Sequence, residues 1–319
     1  MAKLARLRTP SAGSADAGRH PDAGIEAIVI AAHGRHYLAL ARPDGKRIQC
    51  VTRGKKSDIA VGDRIHVQMT SADQGVIESI GERATLLYRS DQYKSKLLAA
   101  NVTQLFIVVA TEPGFADDLI SRALVAAEAA GVRAHLVLNK TDVLPLLDKA
   151  RERLRAYTAI GYPLHEVSAR TLPEAAVATL SPLLAGESTI LIGQSGMGKS
   201  SLINLLVPDA DIAVREISAA LDTGKHTTTF TRLYAIDENT SIIDSPGFQE
   251  FGLYQLSEGM LERAFPECEP YLGKCKYYNC HHDNEPECAI RGAVAAGAIA
   301  PMRHALYLQL KHESAQTLY

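Results

Sequence analysis

Surplus charge, long apolar runs and dispersed cysteine are all missing from this 319-residue chain. Lys and Arg number 34 against 36 Asp and Glu, a formal net charge of −2, so the overall balance points to no polyanionic partner. The distribution is uneven, however. Residues 1–56 hold eleven Lys/Arg against four Asp/Glu, a net +7, which leaves −9 for the remainder. Such asymmetry favours a nucleic-acid contact at the N-terminal end, although a solvated basic surface has the same composition. The first eighteen residues carry Lys3, Arg6 and Arg8 but no apolar stretch of signal-peptide length, and no later run approaches a membrane span. Of five cysteines, Cys50 stands alone and the other four crowd into residues 268–288, a pattern that metal binding explains better than disulfides. The expected location is therefore cytoplasmic. With 46% hydrophobic residues the chain has material for two or three cored domains.

Residues 1–23 are Ala/Ser/Gly-rich with scattered positive charge and read as a disordered basic arm. Residues 24–88 show short alternating runs at 26–31, 37–41, 47–52, 64–69 and 75–80. Turn signals at His33-Gly34, Pro43-Asp44-Gly45 and Gly62-Asp63 separate them, which predicts a small β-barrel of the oligonucleotide-binding (OB) type. Arg53-Gly54-Lys55-Lys56, between strands, suits an RNA phosphate contact or a plain polar loop equally. Over residues 89–250 buried strands at 105–110, 135–138 and 189–192 alternate with helices at 117–130 and 146–159. That rhythm predicts a parallel sheet with helices on both faces, followed by a hairpin of 233–236 and 241–244. Residues 251–319 read as a C-terminal helical zinc-binding domain ending in a helical run over 289–315. The predicted whole is a multidomain α/β protein.

Five nucleotide motifs are present in an unusual order. Asn139, Lys140, Thr141 and Asp142 come first, then Ser168 and Ala169. The phosphate loop Gly193, Gln194, Ser195, Gly196, Met197, Gly198, Lys199 and Ser200, with Ser201 next, follows the strand at 189–192 and opens a helix. Its glycines let backbone N–H groups approach phosphates at a helix N-terminus. Lys199 would neutralise the β- and γ-phosphates, and Ser200 would ligate Mg²⁺. Asp142 is an acceptor-only side chain that suits the N1–H and 2-amine of guanine and would be left unpaired by adenine, so GTP is expected rather than ATP. Asn139 would brace the loops, Lys140 would lie along the base, and the Ser168-Ala169 backbone would donate to the base carbonyl. Thr228, within Thr227–Thr229, is expected on Mg²⁺; a strand start explains the same threonines. Asp244 would hold Mg²⁺ through water and the Gly247 N–H would bind the γ-phosphate. Phe248 follows Gly247 where many GTPases place a water-orienting Gln, so slow turnover is expected until a partner completes the site. His226 is the nearest replacement in the chain; a His merely satisfied within its loop fits as well.

Cys275-x4-Cys280-x-His282-x5-Cys288 supplies three thiolates and an imidazole, a full tetrahedral Zn²⁺ shell with no position open for water. A structural zinc is expected, with Cys268 and His281 as alternative ligands.

With these residues placed, the chain resembles the RsgA (YjeQ/YloQ) family of circularly permuted GTPases from about Gly24 to Leu310. The markers are Ala99-Ala100-Asn101-Val102, Asn139-Lys140-x-Asp142, Gly193–Ser201, Gly224-Lys225-His226-Thr227-Thr228-Thr229, Asp244-Ser245-Pro246-Gly247-Phe248 and the Cys/Cys/His/Cys spacing. Lys225 stands where that family commonly has Arg. The resemblance implies a late assembly factor of the small (30S) ribosomal subunit, acting as a monomer. It would bind in the GTP state, hydrolyse GTP on stimulation and leave, with the barrel, arm and zinc domain on 16S rRNA. A nucleotide-sensing ribosome-binding module with incidental hydrolysis is the alternative.

Overall fold

The computed structural model describes residues 24–54, 58–90, 95–207, 210, 231–245, 253 and 256–316. The expected arm lies outside them, as do Lys55, Lys56, His226, Thr228, Gly247 and Phe248.

Period-two alternation builds the first unit. Strands β1 (Ile25–His33), β2 (His36–Ala41), β3 (Arg47–Thr52), β4 (Arg64–Met69) and β5 (Gln74–Ile80) bury Val29, Tyr37, Ile48, Ile65, Val67 and Ile77 on one side. β1 pairs antiparallel with both β2 and β4, β3 pairs parallel with β5, and β4 with β5 closes a five-stranded OB barrel. Asp63, fully buried, is satisfied by Arg83 Nε and Nη2, each at 2.7 Å, and by the Ala60 N–H. Arg53 of the expected phosphate-contact loop pairs with Glu78 and donates to Gln68 at 2.8 Å, so its guanidinium already has partners within the barrel.

Strands β6 (Leu86–Ser90) and β7 (Ser95–Ala100) form a separate hairpin that the sequence reading did not anticipate. The expected domain division between residues 88 and 89 falls inside β6. Neither strand is flanked by an Asn-Gly or Asp-Gly turn that would have betrayed the pair.

Next come β8 (Gln104–Ala110), α1 (Asp117–Ala130), β9 (Arg133–Asn139), α2 (Leu144–Thr158), β10 (Leu164–Glu166), α3 (Pro173–Leu184), β11 (Ser188–Ile192) and α4 (Lys199–Leu206). The hairpin β12 (Arg232–Ala235) and β13 (Ser241–Asp244) completes the sheet, in order β10-β9-β8-β11-β13-β12. All but β12 run parallel, and every residue of β8 is buried, as expected of a central strand covered on both faces. Helix α3 is a second unanticipated element. Pro173 and Pro182 look like breakers, but one occupies the first turn, where a missing N–H costs nothing, and the other the last. β12 also pairs with β1 at Ala31↔Arg232, so barrel and parallel sheet share one hydrogen-bonded surface of eleven strands.

The C-terminal region holds α5 (Glu258–Arg263), a 3₁₀ turn (Pro266–Tyr271), α6 (Ala289–Ala295) and α7 (Pro301–Gln316). The helix expected over 289–315 is thus two: Gly297 takes φ +76° after α6, and Pro301 begins α7. Arg303, fully buried, pairs with Glu267 at 2.6 Å and stacks over the Phe265 ring at 4.5 Å. Arg122 of α1 grips Glu313 of α7 at 2.6 Å, which ties the C-terminal helix to the sheet's helical cover. Among the described residues, no helix is long and apolar enough to cross a membrane.

Candidate nucleotide site and metal cage

Parallel pairing decides what meets what. The carboxyl ends of β8, β9, β10, β11 and β13 open on one edge of the sheet, the edge where ligands bind in open α/β folds. β11 delivers the phosphate loop there, β9 delivers Asn139–Asp142, and the chain after β10 delivers Ser168-Ala169. Leu191 is in register with Asp244, so the last residue of β13 stands beside the start of the loop.

Asn139 joins three of these loops. Its buried amide donates from Nδ2 to Met197 O at 3.1 Å and accepts at Oδ1 from the Ala169 N–H at 3.1 Å. The Ala169 N–H expected for the base carbonyl is therefore engaged by Asn139, and a nucleotide must share or displace that bond. Gly198, at φ +94°, passes so close that an added Cβ would sit 2.2 Å from Asn139 Nδ2. Gly193, at φ +150°, would put a Cβ 2.3 Å from Val108 O. Only glycine allows the phosphate loop to lie this tightly on its neighbours.

Lys199 is buried and donates to the Gly193 and Gln194 carbonyls at 2.6 and 3.0 Å. Burial lowers its pKa, while Asp244 opposes the shift. Asp244 is buried too, and burial pushes its carboxyl up to about 6 against the pull of Lys199 and Arg232. Ser195, Gly196, Ser200 and Ser201 are exposed at the mouth. Asp142 is exposed and accepts from Ser168 Oγ, whose hydrogen bond is the largest cause of its lowered pKa. Thr141 Oγ1 donates to Val167 O at 3.1 Å and so holds the two base-side loops together.

The segment after β8 escaped the sequence reading. Thr111 Oγ1 donates to Lys140 O at 2.8 Å, Lys140 Nζ donates to Glu112 O at 2.8 Å, and Gln194 Oε1 accepts from the Ala116 N–H at 2.9 Å. Residues 111–116 thereby prop both Lys140 and the phosphate loop. Nothing in their composition marks them, because the contacts are mostly to backbone atoms.

The Cys/His cluster converges independently. Ligand atoms of Cys275, Cys280, His282 and Cys288 all lie within 4.8 Å of one another. Cys275 and Cys288 Sγ are 3.8 Å apart, and His282 Nδ1 is 3.5 and 3.4 Å from them. A tetrahedral Zn²⁺ with bonds of about 2.3 Å to sulfur and about 2.0 Å to nitrogen sets edges of roughly 3.8 and 3.5 Å. Donor set and spacing fit that ion. His282 Nε2 faces Glu262 Oε1 at 3.5 Å, which favours the proton on Nε2 and leaves the Nδ1 lone pair toward the sulfurs. N–H groups of Ala289 and Arg291 point at Cys275 and Cys288 Sγ. Of the two alternative ligands, Cys268 is not among the four whose ligand atoms converge and its buried thiol is pushed up to about 12, first by burial, and His281 pairs with Glu258 at 2.7 Å. Glu262 carried no sequence signal, since twenty residues separate it from His282.

A P-loop domain whose base-side strands precede its phosphate loop is a circularly permuted nucleotide-binding domain, here joined to an OB barrel and a Cys₃His cage. The RsgA GTPase family profile matches residues 80–254. A Burkholderia pseudomallei (strain K96243) protein called small ribosomal subunit biogenesis GTPase RsgA is 59% identical over 314 residues, 98% of this chain and 99% of its own. Its namesake in Paraburkholderia xenovorans (strain LB400) is 61% identical over 294 residues, 91% and 93% of the two chains. The crystal structure of YjeQ from Thermotoga maritima superposes with a TM-score of 0.67 at 29% identity, covering 91% of this chain and 98% of that one. That of YloQ, described as a circularly permuted GTPase, gives 0.67 at 25% identity, covering 96% and 99%. The chain belongs to the RsgA GTPase family and is a GTP hydrolase.

Proposed function

We propose that this protein is a cytoplasmic, monomeric GTPase of small ribosomal subunit maturation, which binds the subunit through 16S rRNA in its GTP state and leaves on hydrolysis. One observation carries the nucleotide half of the reading: Asn139 hydrogen-bonds both the phosphate loop and the Ser168-Ala169 loop, so base recognition and phosphate binding form one unit. The ribosomal half is drawn from relatives matched nearly end to end.

In this reading Asp142 accepts from the guanine edge, and Gly193 to Ser201 wrap the phosphates. Lys199 leaves its two carbonyl partners for the β- and γ-phosphates. Ser200 and Thr228 would hold Mg²⁺, Asp244 would hold it through water, and Gly247 would bind the γ-phosphate. When bound, Mg²⁺ would supply neutralising charge beside the terminal phosphates. His226 is the candidate for orienting the attacking water, since Phe248 offers no hydrogen bond. Cys275, Cys280, His282 and Cys288 hold a structural Zn²⁺ that organises a loop-rich segment.

Phosphate release at graded concentrations of small subunits, large subunits and naked rRNA tests the proposal. Small subunits alone should raise turnover. Fast turnover by the free protein, or equal stimulation by both subunits, would replace it with the nucleotide-sensing module.

A further inference from the structure

Two hydroxyls stand in line behind Asp142. Ser168 Oγ donates to Asp142 Oδ1, and Thr171 Oγ1 lies 2.6 Å from Ser168 Oγ. Ser168 has a single hydroxyl proton. Because the ionised carboxylate can only accept, that proton goes to Asp142, and Thr171 must then be the donor in its contact with Ser168. A turn makes the contact possible: the Leu172 N–H donates to Ser168 O at 3.0 Å and folds Thr171 back over the serine. Ser168 is buried, whereas Thr171 is exposed, and hydrogen bonding from both hydroxyls lowers the pKa of Asp142, Ser168 contributing the most.

We propose that Thr171 is a positioning residue for nucleotide specificity: it fixes the Ser168 hydroxyl in the orientation that engages one oxygen of Asp142. The remaining carboxylate lone pairs then face the N1–H and the 2-amine of guanine together. With Thr171 removed, the Ser168 hydroxyl loses its donor and gains rotational freedom, and Asp142 loses the fixed orientation that two simultaneous hydrogen bonds require. A chain of hydroxyls polarised toward one acceptor is also stronger than its isolated bonds. The inference rests on the proposed role of Asp142 in reading guanine.

The test is an equilibrium competition titration of the full chain with GTP and with inosine triphosphate, which lacks the 2-amine. Thr171→Val keeps the branched shape and deletes only the hydroxyl. It should raise the dissociation constant for GTP about three- to tenfold, the span of one net hydrogen bond. It should raise that for inosine triphosphate less, so the preference for the 2-amine shrinks. Thr171→Ser should restore both. In an Asp142→Asn background, Thr171→Val should change GTP affinity less than about twofold, because the group it positions is gone. Unchanged GTP affinity in Thr171→Val, an equal loss for both nucleotides, or an undiminished loss beside Asp142→Asn would overturn the role of Thr171. If Asp142→Asn itself leaves GTP affinity intact, the guanine reading fails first and this inference falls with it.

Discussion

Gly198 is the point at which the phosphate loop touches the base-reading loop. Gly198→Ala places a methyl group where Asn139 Nδ2 now lies and asks alanine to adopt φ +94°. Asn139 must release Met197 or Ala169, and GTP affinity should fall at least about tenfold, the worth of one or two buried hydrogen bonds. Titration checks this; unaltered binding would mean that the Asn139 bridge does not matter. A second residue-scale prediction concerns His135, far from the nucleotide. Its Nδ1 is 3.0 Å from His165 Nε2, its ring packs on Phe106, and Arg133 and Glu187 are the charged groups near it. Burial, then the charge of His165, then Arg133, push it down from 6.5 to about 4, with Glu187 opposing. The unfolded chain therefore takes a proton near 6.5 that the folded chain refuses until about 4. This contribution is fully present above pH 6.5 and is lost as pH falls toward 4, by about 1–3 kcal/mol after allowing for the half-buried setting. Urea melts from pH 7 to 4 should show the slope, and His135→Phe should flatten it.

At the scale of elements, the cage between α5 and α6 is held by short segments with little apolar burial of their own, so a metal is the natural source of their order. Elemental analysis of protein purified without added metal should show about one Zn²⁺ per chain. Cys280→Ser should lower that content and loosen residues 268–290 while nucleotide still binds. Glu262→Gln, which leaves the four ligands intact but weakens the carboxylate behind His282, should cost about 10- to 100-fold in zinc affinity. Full zinc retention in separate Ser replacements of Cys275, Cys280 and Cys288 would refute the ligand set. The helices show where sequence patterns reach and where they stop. α1 was legible to the residue, from its apolar face over Asp117–Ala130. α3 was not, because its two prolines read as breakers until its ends are known: Pro173 opens the first turn and Pro182 lies in the last.

For the whole molecule, the central expectation is a slow enzyme waiting for its partner. Hydrolysis by the free protein should run on the order of 10²–10⁴ below the partner-bound rate, the span that a supplied catalytic group or a corrected loop provides. Stimulation by small subunits should weaken as salt rises, since the net +7 of residues 1–56 would act on rRNA phosphates. Deleting Met1–Ala23 should weaken stimulation and spare basal turnover, whereas Lys199→Ala should abolish turnover altogether. Rate measurements across salt concentrations separate these outcomes. The pairing of Ala31 with Arg232 joins the barrel and the nucleotide sheet in one eleven-stranded order.

By itself the sequence determined the OB barrel, the permuted order of the nucleotide motifs and the four-ligand cage. Each is written in local spacing: period-two runs with turn signals, glycines at fixed intervals after an apolar strand, and three cysteines and a histidine within fourteen residues. Tertiary structure alone decided the contacts between segments distant in the chain. Asn139 reaches Met197 across 58 residues, Arg122 reaches Glu313 across 191, and Glu262 stands behind His282. It also decided that Thr111, Glu112 and Gln194 would brace the site and that β1 would meet β12. Hydrogen bonds to backbone atoms and single ion pairs ask only for a common residue type at one point in space, so they leave no periodicity or motif to read.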